Sequence, residues 1–142
     1  MVSLVLVGHS PELVRGLRAM IAQAASAVPV ATAGGTAVGT LGTCSPAVHE
    51  ALRVALAASE GDGVVVLLDL GSAFLAVEMA LEELRAADRA LVRVSTGPLV
   101  EGAVLAAVEA LSGAPLDRVL AAADAAAGAP KLPGVPSGEQ AL

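Results

Sequence analysis

Short apolar runs alternate with helical patterns along most of the chain. Residues 2–7 are continuously apolar apart from Ser3, and they predict a first strand. Ser10, Pro11 and Glu12 come next as an N-cap, a proline at the first helical position and an early acid, so a helix should run to about residue 25. A second, weakly apolar strand is expected over 28–33. The Gly/Thr-rich stretch 33–42 can only be a loop. Ser45-Pro46 repeats the cap-and-proline signal before a helix over 47–58. Gly61-Asp62-Gly63 is a turn, and the run 64–68 suits a central parallel strand buried on both faces.

That strand ends at Asp69-Leu70-Gly71-Ser72, after which 73–87 reads as one helix. A fourth strand is expected over 91–95, a helix over 100–112 after Pro98, and a last short helix over 117–127. From Gly128 on, Pro and Gly recur and apolar periodicity stops. The expected organisation is one domain over 1–127 and a flexible Pro/Gly-containing tail over 128–142. Strand and helix in alternation imply parallel strands joined by right-handed crossovers: an α/β, three-layer sandwich with a mainly parallel central sheet.

Composition narrows the partners. The net charge of −6 and the absence of any Lys/Arg cluster argue against a nucleic-acid surface. More than half the chain is apolar, mostly Ala and Val, so the core must be built from small and branched side chains. Cys44 is the only cysteine; no intrachain disulfide can form, and a reducing compartment is compatible. The first apolar run lacks a charged segment before it and is too short for a signal peptide or a membrane span, so a cytoplasmic protein without membrane insertion is expected.

Candidate chemistry gathers at strand ends. His9 comes directly after Gly8 at the end of the first strand, the sheet edge where ligands of open α/β folds bind. Imidazole is a nucleophile near neutral pH, and without metal-ligand partners in the sequence its ring points to covalent chemistry. The plain alternative is a strand-end histidine bonded to a neighbouring loop. Asp69 ends an otherwise Val/Leu strand and can orient His9 by accepting a proton from one ring nitrogen; otherwise it caps the next helix through the Gly71 and Ser72 amides. Thr43 and Ser72 offer hydroxyls beside Gly42 and Gly71, and together with His9 and Asp69 they form a small anion pocket; Gly71 and Ser10 are the further phosphoryl-binding candidates. His49 falls inside a predicted helix. Neither a zinc site nor a redox pair is supported, and the glycine-rich loop fits neither a P-loop nor a dinucleotide fingerprint.

Leu6-Val7-Gly8-His9-Ser10, Gly42-Thr43, Leu68-Asp69-Leu70-Gly71-Ser72 and Pro98-Leu99-Val100-Glu101-Gly102 stand in an order and spacing that resembles the mannose-type IIA domains of the bacterial sugar phosphotransferase system. The last two motifs look most like the phosphotransferase subunit of dihydroxyacetone kinase. The resemblance covers roughly residues 1–125. It implies that His9 takes a phosphoryl group from the phosphocarrier HPr, with phosphoenolpyruvate as the ultimate source. The group would pass to ADP on a nucleotide-binding kinase subunit, which phosphorylates dihydroxyacetone held by a third subunit.

The resemblance further implies that Asp69 orients the histidine, that hydroxyls at Thr43 and Ser72 hold phosphoryl oxygens, and that the domain dimerises; no cofactor or metal is expected. Cys44 stands where a serine is frequent. Some members fuse HPr-like domains after this one, whereas the Pro/Gly tail here implies reliance on a separate HPr. Glu101 is expected to face a partner, or else serves only its own helix dipole. A sugar-transport IIA domain and a non-catalytic anion-binding module remain the alternatives. Apolar faces over 73–84 and 103–111 also suggest a homodimer.

Overall fold

Four parallel strands form the sheet: β1 (Ser3–Gly8), β2 (Val30–Gly34), β3 (Val64–Leu68) and β4 (Val92–Val94), in the order β2-β1-β3-β4. The structure is a computed structural model and describes residues 1–134; the expected tail beyond residue 134 lies outside the described residues. Period-two alternation divides the apolar strand residues between two faces. Leu4, Leu6, Val65 and Leu67 pack under α1 (Pro11–Ala24), α5 (Leu99–Leu111) and α6 (Leu116–Ala125). Val5, Val7, Val64 and Val66 pack under α2 (Ser45–Ser59) and α3 (Phe74–Glu82). Both faces of β1 and β3 are therefore buried, which is why their sequences are nearly unbroken apolar runs. The expected three-layer α/β sandwich is the observed fold.

The helix expected over 73–87 is broken into three pieces. A 3₁₀ turn at Gly71–Ala73 opens it, α3 ends at Glu82, and α4 is the single turn Ala86–Arg89. Arg85 is extended (φ −61°, ψ 150°), and Leu84 turns inward to 8% exposure. Arg89 then donates to the Leu81 and Glu82 carbonyls at the end of α3, where Leu81 also accepts Leu84 N–H. Gly and Pro are absent from this stretch, so it carries no local stop signal. Burial of Leu84 in the core accompanies the break. Elsewhere boundaries shift by a few residues. Ser10 caps α1, accepting from Leu13 N–H at 3.3 Å. At α2 the capping position is Cys44 rather than Ser45, and its side chain makes no capping bond. The chain after α6 makes one 3₁₀ turn, Ala126–Gly128, and continues exposed to residue 134.

Strand order decides where the loops meet. The chain leaves β1 toward β2 through α1 on one face, and leaves β3 toward β4 through α3 on the other. The adjacent strands β1 and β3 thus send their connections in opposite directions, leaving a crevice between their C-terminal ends. The register pairs Val7 with Leu68, so the next residues, Gly8-His9 and Asp69, face each other across that crevice. Among the described residues, no helix is long and apolar enough to cross a membrane.

Candidate functional site

His9 is held at every polar atom. Its backbone N–H donates to Asp69 Oδ2 at 2.8 Å, and its carbonyl accepts Gly42 N–H at 2.9 Å. Ring Nδ1 lies 3.0 Å from Asp69 Oδ1 and 3.2 Å from Oδ2, while Nε2 lies 3.1 Å from Ser72 Oγ. The histidine side chain is 29% exposed and the aspartate 11%, so the ring reaches solvent over a carboxylate that hardly does.

Asp69 also accepts Leu70 N–H at 2.7 Å, and its own N–H donates to the Val7 carbonyl. The carboxylate therefore turns back onto His9 and Leu70; it does not cap the following turn through the Gly71 and Ser72 amides. Burial works against its charge, but the His9 backbone N–H, the His9 ring and the Leu70 N–H together outweigh this and hold the carboxyl below its ordinary value of 3.8. An ionised Asp69 accepts Nδ1–H. That tautomer leaves the Nε2 lone pair outward, where it accepts the Ser72 hydroxyl.

Gly8 is what permits the approach. A Cβ there would stand 2.9 Å from Val14 Cγ1 and 3.3 Å from Asp69 Oδ2, so any side chain would press the carboxylate out of place. The motif alone does not reveal this role, because the neighbours that Gly8 must clear lie on α1 and after β3.

The other expected residues divide. Ser72 sits on Nε2, and Gly71 is beside it with open space where a Cβ would be. Thr43 is half-buried next to Gly42; among the described residues its hydroxyl makes no hydrogen bond, and the Gly42 amide ties the loop to the His9 carbonyl. Ser10 uses its hydroxyl to cap α1. Glu101, in the first turn of α5, pairs with Lys131, which lowers its carboxyl pKa. His49 is half-buried on α2, with no hydrogen bond to His9. Among the described residues, no cluster of His, Cys, Asp and Glu could hold a metal ion.

Two features of the rim lay outside the motifs. The β2–α2 loop exposes Val38 and Leu41, at 84% and 78%, beside the backbone contact to His9. An open cleft of about 540 Å³ lies on the other side of Asp69. Asp69, Leu70 and Phe74 form one wall, and Ser95, Thr96 and Gly97 the other. Exposed apolar loop residues thus stand on one side of the His9–Asp69 pair and an open groove on the other.

The structure thus sets a carboxylate on Nδ1 of a partly exposed imidazole at the switch point of a parallel sheet. The family model for the fructose IIA component of the phosphotransferase system (EIIA-man) matches residues 3–120, and the chain belongs to this family. Within it, the chain is similar to phosphoryl donor subunits named DhaM. It is 37% identical over 124 residues to the DhaM of the PEP-dependent dihydroxyacetone kinase of Escherichia coli strain K12, covering 84% of this chain but 26% of that protein. It is 35% identical to DhaM of the PEP-dependent dihydroxyacetone kinase 2 of Listeria innocua, covering 84% of this chain and 94% of that protein. The chain thus spans about a quarter of the E. coli relative and nearly all of the Listeria one. The crystal structure of EF1359, a protein of unknown function, superimposes with a TM-score of 0.75 at 30% identity, over 87% of this chain and 92% of that one.

Proposed function

We propose that this chain is a phosphohistidine carrier that accepts a phosphoryl group from HPr on His9 Nε2 and delivers it to ADP bound on the nucleotide subunit of a dihydroxyacetone kinase. The observation that carries the reading is the tautomer-setting contact, Nδ1 to Asp69 at 3.0 Å, with Nε2 turned to the open rim. The names of the relatives, as phosphoryl donor subunits of that kinase, support the acceptor.

In the first half-reaction the Nε2 lone pair attacks the phosphorus on the donor's imidazole. The new N–P bond forms as the donor's P–N bond breaks, and the donor ring leaves with that electron pair. Positive charge develops on His9 and is stabilised by Asp69. Ser72 must release Nε2 as the phosphorus arrives, and its hydroxyl is then placed to donate to a phosphoryl oxygen; Gly71 leaves backbone room beside it, and Thr43 stands ready on the facing loop. In the second half a β-phosphate oxygen of ADP attacks the phosphorus, the N–P bond breaks, and its electron pair returns to Nε2. The ATP formed serves the dihydroxyacetone-binding subunit. No metal or cofactor of this chain enters either step.

Both partners would meet the rim bearing Val38, Leu41 and Leu70, with Glu101 at its periphery contributing charge once Lys131 lets go. The domain, residues 1–127, is expected to act in the cytoplasm as a homodimer, because α3 exposes Leu75 and Met79, and α5 exposes Leu105 and Val108. The test is a labelling and chase experiment. With HPr, enzyme I and radiolabelled phosphoenolpyruvate, the protein should take up acid-labile label, His9→Ala should take up none, and His49→Ala should take up most of it. The label should then pass to the ADP-loaded kinase subunit. Passage to a sugar-transporter IIB protein instead would move the chain to the transport branch, and no uptake at all would leave an anion-binding module.

A further inference from the structure

A second polar cluster closes the sheet edge at β4. Ser95 is 3% exposed and donates its hydroxyl to Asp124 Oδ1, on α6, at 2.6 Å. The same carboxylate oxygen accepts Thr96 N–H at 3.0 Å. Ser95 Oγ in turn accepts Gly97 N–H at 3.0 Å, and Ser95 N–H donates to the Val66 carbonyl at 2.8 Å. Gly97 lies hard against α6, since a Cβ there would stand 2.1 Å from the Ala123 carbonyl oxygen. Asp124 gains nothing from its own helix: it sits in the last turn, where the dipole disfavours an acid. Its carboxylate is instead committed to the loop between β4 and α5, whose Ser95, Thr96 and Gly97 form the far wall of the cleft beside Asp69.

We propose that Asp124 is a positioning residue for phosphoryl exchange: it fixes this loop as the rigid wall against which the donor protein seats beside Asp69. The inference rests on the phosphocarrier reading above. The wall borders the cleft and makes no hydrogen bond to His9, so loosening it weakens seating and leaves the chemical step intact.

The test measures initial rates of phosphorylation of the full chain against the concentration of phosphorylated HPr, well below the melting temperature of each variant. Asp124→Ala, which removes the acceptor for two loop hydrogen bonds, should raise KM about tenfold and leave kcat within about twofold. Asp124→Asn keeps an amide oxygen able to accept both bonds and should stay within about threefold of the unsubstituted KM. Amide hydrogen exchange at Thr96 and Gly97 should accelerate in the alanine variant and not in the asparagine one. Should Asp124→Ala fail to fold, Ser95→Ala cuts the same clamp from the loop side and should raise KM about fivefold.

Faster exchange at Thr96 and Gly97 with KM unchanged would overturn the inference, as would a fall in kcat at constant KM. Failure of the unsubstituted protein to take up label would overturn the phosphocarrier reading, and this inference with it.

Discussion

Replacing Asp69 by Asn removes one charge and almost no volume, so its effect can be worked from the hydrogen bonds alone. The carboxylate accepts His9 N–H at 2.8 Å on one oxygen, and Nδ1 at 3.0 Å with Leu70 N–H at 2.7 Å on the other. An amide has one oxygen and one NH₂, so it cannot meet three donors. If its oxygen faces Leu70 and Nδ1, the NH₂ opposes the His9 N–H. If its oxygen faces the His9 N–H, the NH₂ opposes Leu70 N–H and donates to Nδ1, driving the ring proton to Nε2, where the lone pair is needed. Each arrangement orphans a backbone N–H, which costs about 1–3 kcal/mol. For a domain of this size that is roughly 2–4 °C in Tm per kcal/mol. The chemical cost is larger: loss of an orienting aspartate from a histidine in an analogous triad lowers kcat by about 10⁴. The assay is single-turnover transfer from phosphorylated HPr, with a thermal melt on the same samples. We expect a folded protein whose transfer rate falls by about 10³–10⁴. A variant that melts lower but transfers within about twofold of the unsubstituted protein would refute the orienting role and leave Asp69 a purely structural acceptor.

Three other outcomes are expected. Because the Asp69 carboxyl is held below 3.8 when folded, its contribution to stability is complete above that value and disappears as pH falls through the lower folded value; thermal melts taken from neutral pH downward should therefore show the gap between the unsubstituted protein and Asp69→Asn closing only in that acid range. Gly8→Ala should cost about 1–3 kcal/mol through crowding of Val14 and should slow transfer by displacing the Asp69 carboxylate, with denaturant melts and the HPr assay as the two readings. Sedimentation at micromolar concentration should find a dimer that one of Leu75→Asp on α3 and Val108→Asp on α5, which lie on opposite layers, weakens and the other spares, and a monomer for the unsubstituted chain would contradict the homodimer.

The chain itself determined a good deal. Unbroken Val and Leu runs at β1 and β3 require burial on both faces, and parallel pairing between helical layers supplies it. Glycine and hydroxyl residues at strand ends marked His9, Asp69 and Ser72, because tight turns and exposed strand ends carry a local signature. What tertiary structure decided is everything that depends on two distant segments meeting. The β2-β1-β3-β4 order put His9 and Asp69 across one crevice, 60 residues apart in the chain. It sent the Asp69 carboxylate back to His9 instead of forward to a helix cap, since the His9 N–H and ring offered partners that local sequence does not reveal. It tied the β2–α2 loop to His9 through the Gly42 amide, and it broke the expected helix between Glu82 and Ala86, where Leu84 turns into the core. It also joined Ser95 to Asp124, 29 residues on, as a clamp. Periodicity and turn chemistry act over a few residues and are written along the chain; hydrogen-bond partners and close approaches across the sheet exist only once the strands have chosen their neighbours.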